Sequence, residues 1–236
     1  YVRLDNKGVL GWGEAVFPPY LNETITSANN DLIKIKWVVD EHETIFDVIS
    51  ENQNYLKDSP AAACAMEVCL LNWFANFHGK ELHEILDLAK VEIPTSFTIG
   101  ICSDKEIKER VEENPNATYF KLKVSEQEFD RIIATYQTVS TKPFVVDANQ
   151  GFKSKHEALR CANKLNDLGV AYFEQPFSKK DLKSHAWLKS KTKIPIIADE
   201  SFQRIGDINK LLDSFDGINV KIMKTGGLIE AKEALI

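Results

Sequence analysis

Short apolar runs that each end on a charged residue recur through the second half of the chain. The runs 119–123, 144–147, 171–174 and 194–199 end on lysine, aspartate, glutamate and aspartate. A fifth run, 218–221, ends on lysine. Counted from Lys121, the charges at positions 121, 147, 174, 199 and 221 are separated by 26, 27, 25 and 22 residues. A strand that stops on a charge is costly unless the charge has a partner. The pattern therefore predicts strand-end side chains that converge on one place.

Helix signals lie between these runs. Ser125 opens the sequence Ser-Glu-Gln-Glu and Ser154 opens Ser-Lys-His-Glu, and each is a capping-box pattern that predicts a helix start. Further helices are predicted at about 180–189, at about 207–214 and from Leu228 onward. Repeated strand and helix units of about 25 residues predict a parallel sheet covered by helices.

Two parallel architectures fit six strands, of which the first is predicted at 96–100. In a doubly wound sheet, ligands gather at the crevice where the strand order reverses. In a (β/α)8 barrel, residues from the ends of several different strands meet at one face. Charges at the ends of five successive strands favour the barrel.

The first 90 residues have a different pattern, of α+β type. A hairpin is predicted over 1–15 with its turn at 5–8, and a helix begins after Ser59 with Pro60 in its first position. Apolar residues surround that helix as far as the stop at Gly79, so we expect it to be buried. We predict an α+β domain over 1–90 and an incomplete TIM-type α/β barrel over 91–236. A closed barrel needs about two more units, so we expect strands 1–6 only, within a longer protein.

Composition narrows the class of protein. Hydrophobic residues make up 44% and charged residues 27% of the 236 residues, and the net charge is -6. This acidic balance argues against a nucleic-acid surface, and no apolar run approaches the length of a membrane span. The four cysteines are scattered without a metal-binding spacing, as in a reduced cytosolic protein. We therefore expect a cytoplasmic protein that binds neither nucleic acid nor a membrane.

The lysines at the strand ends are candidate proton-transfer groups. Lys121 and Lys123 are two residues apart, so on a strand they point to the same side. One cation lowers the pKa of its neighbour, which would prepare Lys123 to act as a general base. The alternative is that both ammonium groups are solvated at a rim. Lys221 ends the sixth run directly and is a better candidate than Lys224, which lies three residues on.

The three carboxylates at the strand ends are candidate metal ligands. Asp147, Glu174 and Asp199 come from three consecutive runs without a neighbouring histidine or cysteine. Such an oxygen set suits Mg²⁺ or Mn²⁺. The alternative is that each acid caps the helix that follows, but the capping residues Ser125 and Ser154 lie later in the chain.

These strand ends resemble the enolase superfamily, in particular its muconate-lactonizing subgroup. The resemblance rests on Lys121-x-Lys123, Asp147-Ala148-Asn149, Glu174-Gln175-Pro176, Asp199-Glu200-Ser201 and Asn219-Val220-Lys221. Within the subgroup, the run 221–227 is most similar to dipeptide epimerases of the L-Ala-D/L-Glu type. Residues 11–15 resemble the hairpin of the family's capping domain, whose first strand is missing from this chain.

The resemblance implies an isomerase that contains Mg²⁺. By analogy, Asp147, Glu174 and Asp199 hold the metal, and the substrate carboxylate chelates it. Lys123 and Lys221 then move the α-proton through an enolate, and Lys121 tunes Lys123. The expected partner is a small molecule, a dipeptide, and homo-oligomerisation is left open. The residues expected to bind substrate are Tyr20, Thr98, Asn149 and Lys224.

Other functions remain open at this point. A muconate cycloisomerase, an o-succinylbenzoate synthase or an N-succinylamino-acid racemase would use the same lysines and metal. A barrel that binds a metal or an acidic ligand without turnover is a different class. An Asp-x-Asp motif that binds the substrate ammonium group in dipeptide epimerases would lie beyond Ile236. The five histidines do not fall at strand ends, which argues against the mandelate-racemase subgroup.

Overall fold

The structure is a computed structural model that describes residues 1–35, 37, 44–53 and 55–236. Its strands are β1 (Val2–Asn6), β2 (Val9–Gly13), β3 (Ser96–Ile99), β4 (Tyr119–Lys123), β5 (Phe144–Asp147), β6 (Phe173–Glu174), β7 (Ile196–Ala198) and β8 (Gly217–Ile218). Its α-helices are α1 (Ile25–Leu32), α2 (Ile45–Gln53), α3 (Pro60–His78), α4 (Leu82–Ile85), α5 (Asp104–Glu112), α6 (Phe129–Val139), α7 (Lys155–Asp167), α8 (Leu182–Lys189), α9 (Ile208–Leu211), α10 (Ile222–Thr225) and α11 (Leu228–Glu233). Two 3₁₀ turns cover Pro19–Leu21 and Ile205–Asp207.

The chain forms two compact units. The first unit comprises Tyr1–Val91, Gln203–Ile205 and Val220–Ile236, and the second comprises Glu92–Phe202 and Gly206–Asn219. Three separate stretches of chain therefore build the first unit. The domain boundary expected near residue 90 stays a prediction, because compactness alone does not define a domain.

The first unit is organised around α3. The antiparallel hairpin β1–β2 lies so close to this helix that a β-carbon on Gly13 would approach the carbonyl oxygen of Ala65 to 1.9 Å. The helix begins with Pro60 and ends at Gly79, which has the left-handed φ of 62° typical of a helix C-cap. Apolar residues are buried on most sides of α3, as its sequence predicts. In the described part of the chain, no helix is both long and apolar enough to cross a membrane.

The second unit is built on a six-stranded parallel sheet. Its strands are ordered β3-β4-β5-β6-β7-β8, so each strand pairs with the next one along the chain. A doubly wound sheet would reverse this order at its centre. The sequential order excludes that alternative and confirms the barrel-type α/β architecture.

The side chains of strand β4 alternate between a fully buried face and a partly exposed face of the sheet. Phe120 and Leu122 are fully buried, and Phe120 makes an edge contact with Tyr136 of α6 at 5.7 Å between ring centroids. Because side chains alternate along a strand, Lys121 and Lys123 point away from α6, to the opposite face. The prediction that the two lysines share one side is confirmed by this alternation.

Several boundaries differ from the sequence expectation. The hydroxyl of Ser125 accepts the N–H of Glu128, but α6 begins only at Phe129, so residues 125–128 form a turn before the helix. Strands β6 and β8 have two residues each, shorter than the apolar runs that contain them. Lys221 lies beyond β8, as the N-cap residue of α10. Apolar character marks burial, whereas strand limits depend on where the neighbouring backbone is in hydrogen-bonding reach.

Candidate metal centre and the neighbouring lysines

Three carboxylates converge at the ends of β5, β6 and β7. Asp147 pairs in register with Glu174 on the neighbouring strand, and Asp199 directly follows β7. Oxygen atoms of the three side chains lie within 4.8 Å of one another, and each residue is at most 2% exposed. The parallel register explains the convergence, because the carboxyl ends of the strands lie along one edge.

The Lys121 ammonium group lies against two of these carboxylates. Its Nζ is 2.9 Å from Oδ2 of Asp147 and 2.7 Å from Oε2 of Glu174. Burial alone would lower the pKa of Lys121, but the two carboxylates outweigh burial and raise the pKa above its ordinary value. Lys121 therefore stays charged beside the acidic group.

Asn219 and the backbone N–H of Asn149 also donate hydrogen bonds to these carboxylates. The side-chain amide of Asn219 donates to Oε1 of Glu174 at 2.8 Å, and the N–H of Asn149 donates to Oδ1 of Asp147 at 2.9 Å. Burial and the nearby Asp147 carboxylate raise the pKa of Glu174, whereas Lys121 and Asn219 oppose the rise. The cluster thus concentrates negative charge where solvent cannot stabilise it.

The donor set fits a hard divalent cation. All three residues offer carboxylate oxygens, and the 4.8 Å limit on their separation is close to twice a Mg–O bond of about 2.1 Å. Next to this group, Glu200 is 4% exposed, and its buried Oε2 has no hydrogen-bond partner among the described residues. The three carboxylates and the neighbouring Glu200 can therefore accept additional positive charge.

Gln175 is a site residue that the sequence reasoning missed. Its Oε1 accepts the N–H groups of Asp199 at 2.9 Å and Ser201 at 3.0 Å, and its Nε2 donates to Oγ of Ser201 at 2.8 Å. Gln175 is fully buried and has a left-handed φ of 39°. It therefore fixes the backbone of Asp199 relative to Glu174. The sequence does carry one sign of this role, because Gln175 is a polar amide that directly follows the strand-end acid Glu174.

His185 is a buried, neutral side chain on α8. Its Nδ1 lies 2.8 Å from the carbonyl oxygen of Asp181 and must donate, while Nε2 accepts the N–H of Phe177 at 3.2 Å. The ring is fully buried, and burial lowers the pKa of His185 from 6.5 to about 4.

We expect the free energy of unfolding to fall as the pH drops from 6.5 toward 4, because unfolded His185 binds a proton at a pH where the folded residue does not. The stabilisation is present above pH 6.5 and is lost through this window, at up to about 1.4 kcal/mol per pH unit and by about 3 kcal/mol in total. Urea denaturation of wild type and His185→Gln across this range measures the difference. The exposed His156→Gln variant should keep the wild-type slope, and equal slopes for wild type and His185→Gln would contradict the prediction.

A cavity of about 330 Å³ opens beside the carboxylates in the second unit. It is lined by Lys121, Glu174 and Asn219 and by Ser96, Tyr172, Ile197 and Ile218. Its size and its mixed polar and apolar walls are typical of a site for a small polar molecule.

The remaining predicted site residues fall in different places. Thr98 is exposed on β3 and pairs in register with Lys121, and Asn149 is exposed and donates a side-chain hydrogen bond to Glu200. In the first unit, Nζ of Lys221 lies 6.0 Å from the ring centroid of Tyr20.

Lys224 is fully buried within the first unit, in the last turn of α10, so its ammonium group is not solvated at a rim. Its predicted role in substrate binding, like those of Tyr20, Thr98 and Asn149, stays a prediction.

Comparison with known proteins places this chain among enolase-like proteins. The model of the family described as enolase C-terminal domain-like matches residues 104–235, more than half of the chain. An L-Ala-D/L-Glu epimerase from Bacteroides thetaiotaomicron is 34% identical over 98% of this chain. The chain spans 61% of the length of that relative.

Solved structures share the fold. A dipeptide epimerase from Cytophaga hutchinsonii, complexed with Mg and the dipeptide D-Ala-L-Val, matches with a TM-score of 0.86 at 20% identity, over 99% of this chain and 67% of its own. A 2-chloromuconate cycloisomerase from Rhodococcus opacus matches with a TM-score of 0.85 at 24% identity, over 98% of this chain and 69% of its own. The two scores are nearly equal, so the fold by itself does not separate an epimerase from a cycloisomerase.

Proposed function

The chain belongs to the enolase C-terminal domain-like family, and we propose that it carries the metal centre and the two lysine bases of a dipeptide epimerase that uses Mg²⁺. The observation that carries the proposal is the group of three buried carboxylates at neighbouring strand ends, with a lysine pair on the adjoining strand. An acidic cluster with lysines beside it suits proton removal next to a carboxylate, where negative charge develops.

Asp147, Glu174 and Asp199 would hold the metal. When bound, the divalent ion would supply a Lewis acid that stabilises negative charge on the substrate carboxylate. Asn219 and Gln175 support the ligands, the first by a hydrogen bond to Glu174 and the second by holding the backbone of Asp199. Such supporting contacts keep the carboxylates oriented.

Lys123 and Lys221 would transfer the proton. One lysine, as the neutral amine, takes the α-proton, so that a C–H bond breaks, an N–H bond forms and the electron pair moves onto the substrate carboxylate. The other lysine, as the ammonium ion, then gives a proton to the opposite face of the same carbon. The balance closes without an oxidant or reductant, because one proton leaves and one returns. Lys121 would tune Lys123 from the same face of β4.

The sequence relatives support a dipeptide as the substrate. The Bacteroides relative, which is 34% identical to this chain, is named an L-Ala-D/L-Glu epimerase. Tyr20, Thr98, Asn149 and Lys224 are proposed to contact the substrate.

The proposal is tested by hydrogen exchange at the α-carbon in D₂O. We expect the full-length protein with Mg²⁺ to incorporate deuterium at the C-terminal residue of L-Ala-L-Glu and of L-Ala-D-Glu, because either epimer can lose its α-proton to a lysine. Proton NMR of the α-position measures the exchange. N-succinyl amino acids and muconate serve as comparison substrates. Faster exchange with an N-succinyl amino acid, or lactone formation from muconate, would replace the epimerase by another subgroup activity. Lack of turnover with all three would favour a barrel that only binds.

A further inference from the structure

Glu67 is an unusual residue for its position in the first unit. It is the only Asp, Glu, Lys or Arg in α3, and it is fully buried. Its neighbours Ala63, Met66 and Leu70 are also buried. An ionisable side chain in such surroundings costs stability unless hydrogen bonds compensate for the lost water.

Hydrogen bonds to Glu67 come from a distant part of the chain. The N–H of Ile229 donates to Oε1 at 3.0 Å, and the N–H of Leu228 donates as well. The side-chain amide of Gln53 donates to Oε2 at 3.2 Å. Burial raises the pKa of Glu67, and these hydrogen bonds oppose the rise. The carboxylate therefore holds the first two residues of α11.

The backbone next to these residues fits closely around the carboxylate. Gly227 has a φ of +151°, and a β-carbon built on it would lie 2.2 Å from Oε1 of Glu67. Gly226 has a φ of +81° and caps the C-terminus of α10. Only glycine permits both this approach and this backbone conformation. The side chain of Glu67 and the turn 226–227 are thus shaped for each other.

A chain of hydrogen bonds links this turn to Lys221. The hydroxyl of Thr225 donates to the carbonyl of Gly227 at 2.9 Å, and the N–H of Gly227 donates to the carbonyl of Ile222 at 2.9 Å. The carbonyl of Lys221 accepts the N–H of Lys224 at 2.8 Å and that of Thr225 at 3.2 Å. The segment 221–229 is therefore one hydrogen-bonded body. Lys221 lies at its start, and its end is hydrogen-bonded to Glu67.

We propose that Glu67 is a positioning residue for Lys221, acting through the turn 226–227. The inference rests on the proposed function, in which Lys221 serves one face of the substrate carbon. Without the hydrogen bonds to Glu67, segment 221–229 is free to shift. A proton-transfer group that is displaced by a fraction of an ångström transfers protons much more slowly. Lys123 lies on β4, outside this segment.

The test compares α-proton exchange with the two epimers. Glu67→Gln keeps the size of the side chain but replaces one of its two acceptor oxygens with an NH₂ group. The N–H of Ile229 and the side-chain amide of Gln53 each donate to a different oxygen of Glu67, so one of them would then face a donor instead of an acceptor. We expect the exchange that depends on Lys221 to fall at least about tenfold relative to the exchange that depends on Lys123. Hydrogen exchange of the backbone amide of Ile229 should become faster in the same variant. Glu67→Asp, which keeps the carboxyl group but shortens the side chain, should give the same selective loss.

The matched control is Cys69→Ala in the same helix. Cys69 is buried and its Sγ contacts the carbonyl of Gly11 in β2, on another side of α3, so the ratio between the two exchange reactions should stay within about twofold of wild type. Equal losses for both epimers, or an unchanged ratio, in both Glu67 variants would show that Glu67 only stabilises the fold and would overturn the inference. If Lys221→Ala still exchanges both epimers, the two-base function itself fails, and the inference fails with it.

Discussion

Lys221→Ala is expected to abolish α-proton exchange with one epimer of the dipeptide while leaving exchange with the other. Lys123→Ala should do the reverse, because each lysine reaches one face of the α-carbon. Neither variant should epimerise, since inversion needs proton removal on one face and delivery on the other. Removal of a general base that also stabilises charge costs roughly 3–6 kcal/mol of transition-state stabilisation, about 10²–10⁴-fold in rate. Deuterium incorporation into L-Ala-L-Glu and L-Ala-D-Glu, assayed separately, measures both rates.

Lys183→Ala provides the matched control for the lysine variants. Lys183 is exposed on α8, so its loss should leave both exchange reactions unchanged. Epimerisation by Lys221→Ala at the wild-type rate would exclude the two-base route. A one-base dehydratase or cycloisomerase would then describe the protein better.

Asp199→Asn is expected to lose most of the affinity for Mg²⁺. The substitution removes one of three negative charges from a buried site in which oxygen ligands and charge together hold a hard cation. Loss of a supporting residue around a metal already costs about 10–100-fold in affinity, and loss of a direct ligand should cost at least as much. Isothermal titration with Mg²⁺ should show one site per chain in the wild type. Glu174→Gln should likewise abolish turnover while the protein stays folded.

Asp167→Asn makes the same chemical change at the exposed end of α7 and serves as its control. It should bind Mg²⁺ as the wild type does. Wild-type affinity in Asp199→Asn would remove Asp199 from the metal site, and the carboxylates would then need another explanation, such as the ion pairs with Lys121.

The strand-end acids and the lysine pair could be predicted from sequence because their signal is local. A charge at the end of an apolar run is visible in a few residues, and the alternation of side chains on β4 follows from strand geometry alone. The parallel architecture is visible for the same reason, since each strand and helix unit carries its own apolar pattern. The strand order that separates a barrel from an open sheet is not a local signal, because it depends on contacts between strands that are far apart in the chain.

Contacts between distant segments were decided only by the tertiary structure. The sequence shows Gln175, Asn219 and Glu67 as polar residues but does not show which groups they meet. Gln175 holds the backbone of Asp199, Asn219 donates to Glu174, and Glu67 accepts from Ile229, 162 residues away. Lys221 was predicted at a strand end, whereas the structure places it as the N-cap of α10 in the first unit. By itself, the sequence determined which residues carry charge at the ends of buried strands, because burial of apolar side chains is a local preference. The tertiary structure decided which of those charges meet, because hydrogen bonds and ion pairs form only between groups that the fold has brought within about 3 Å.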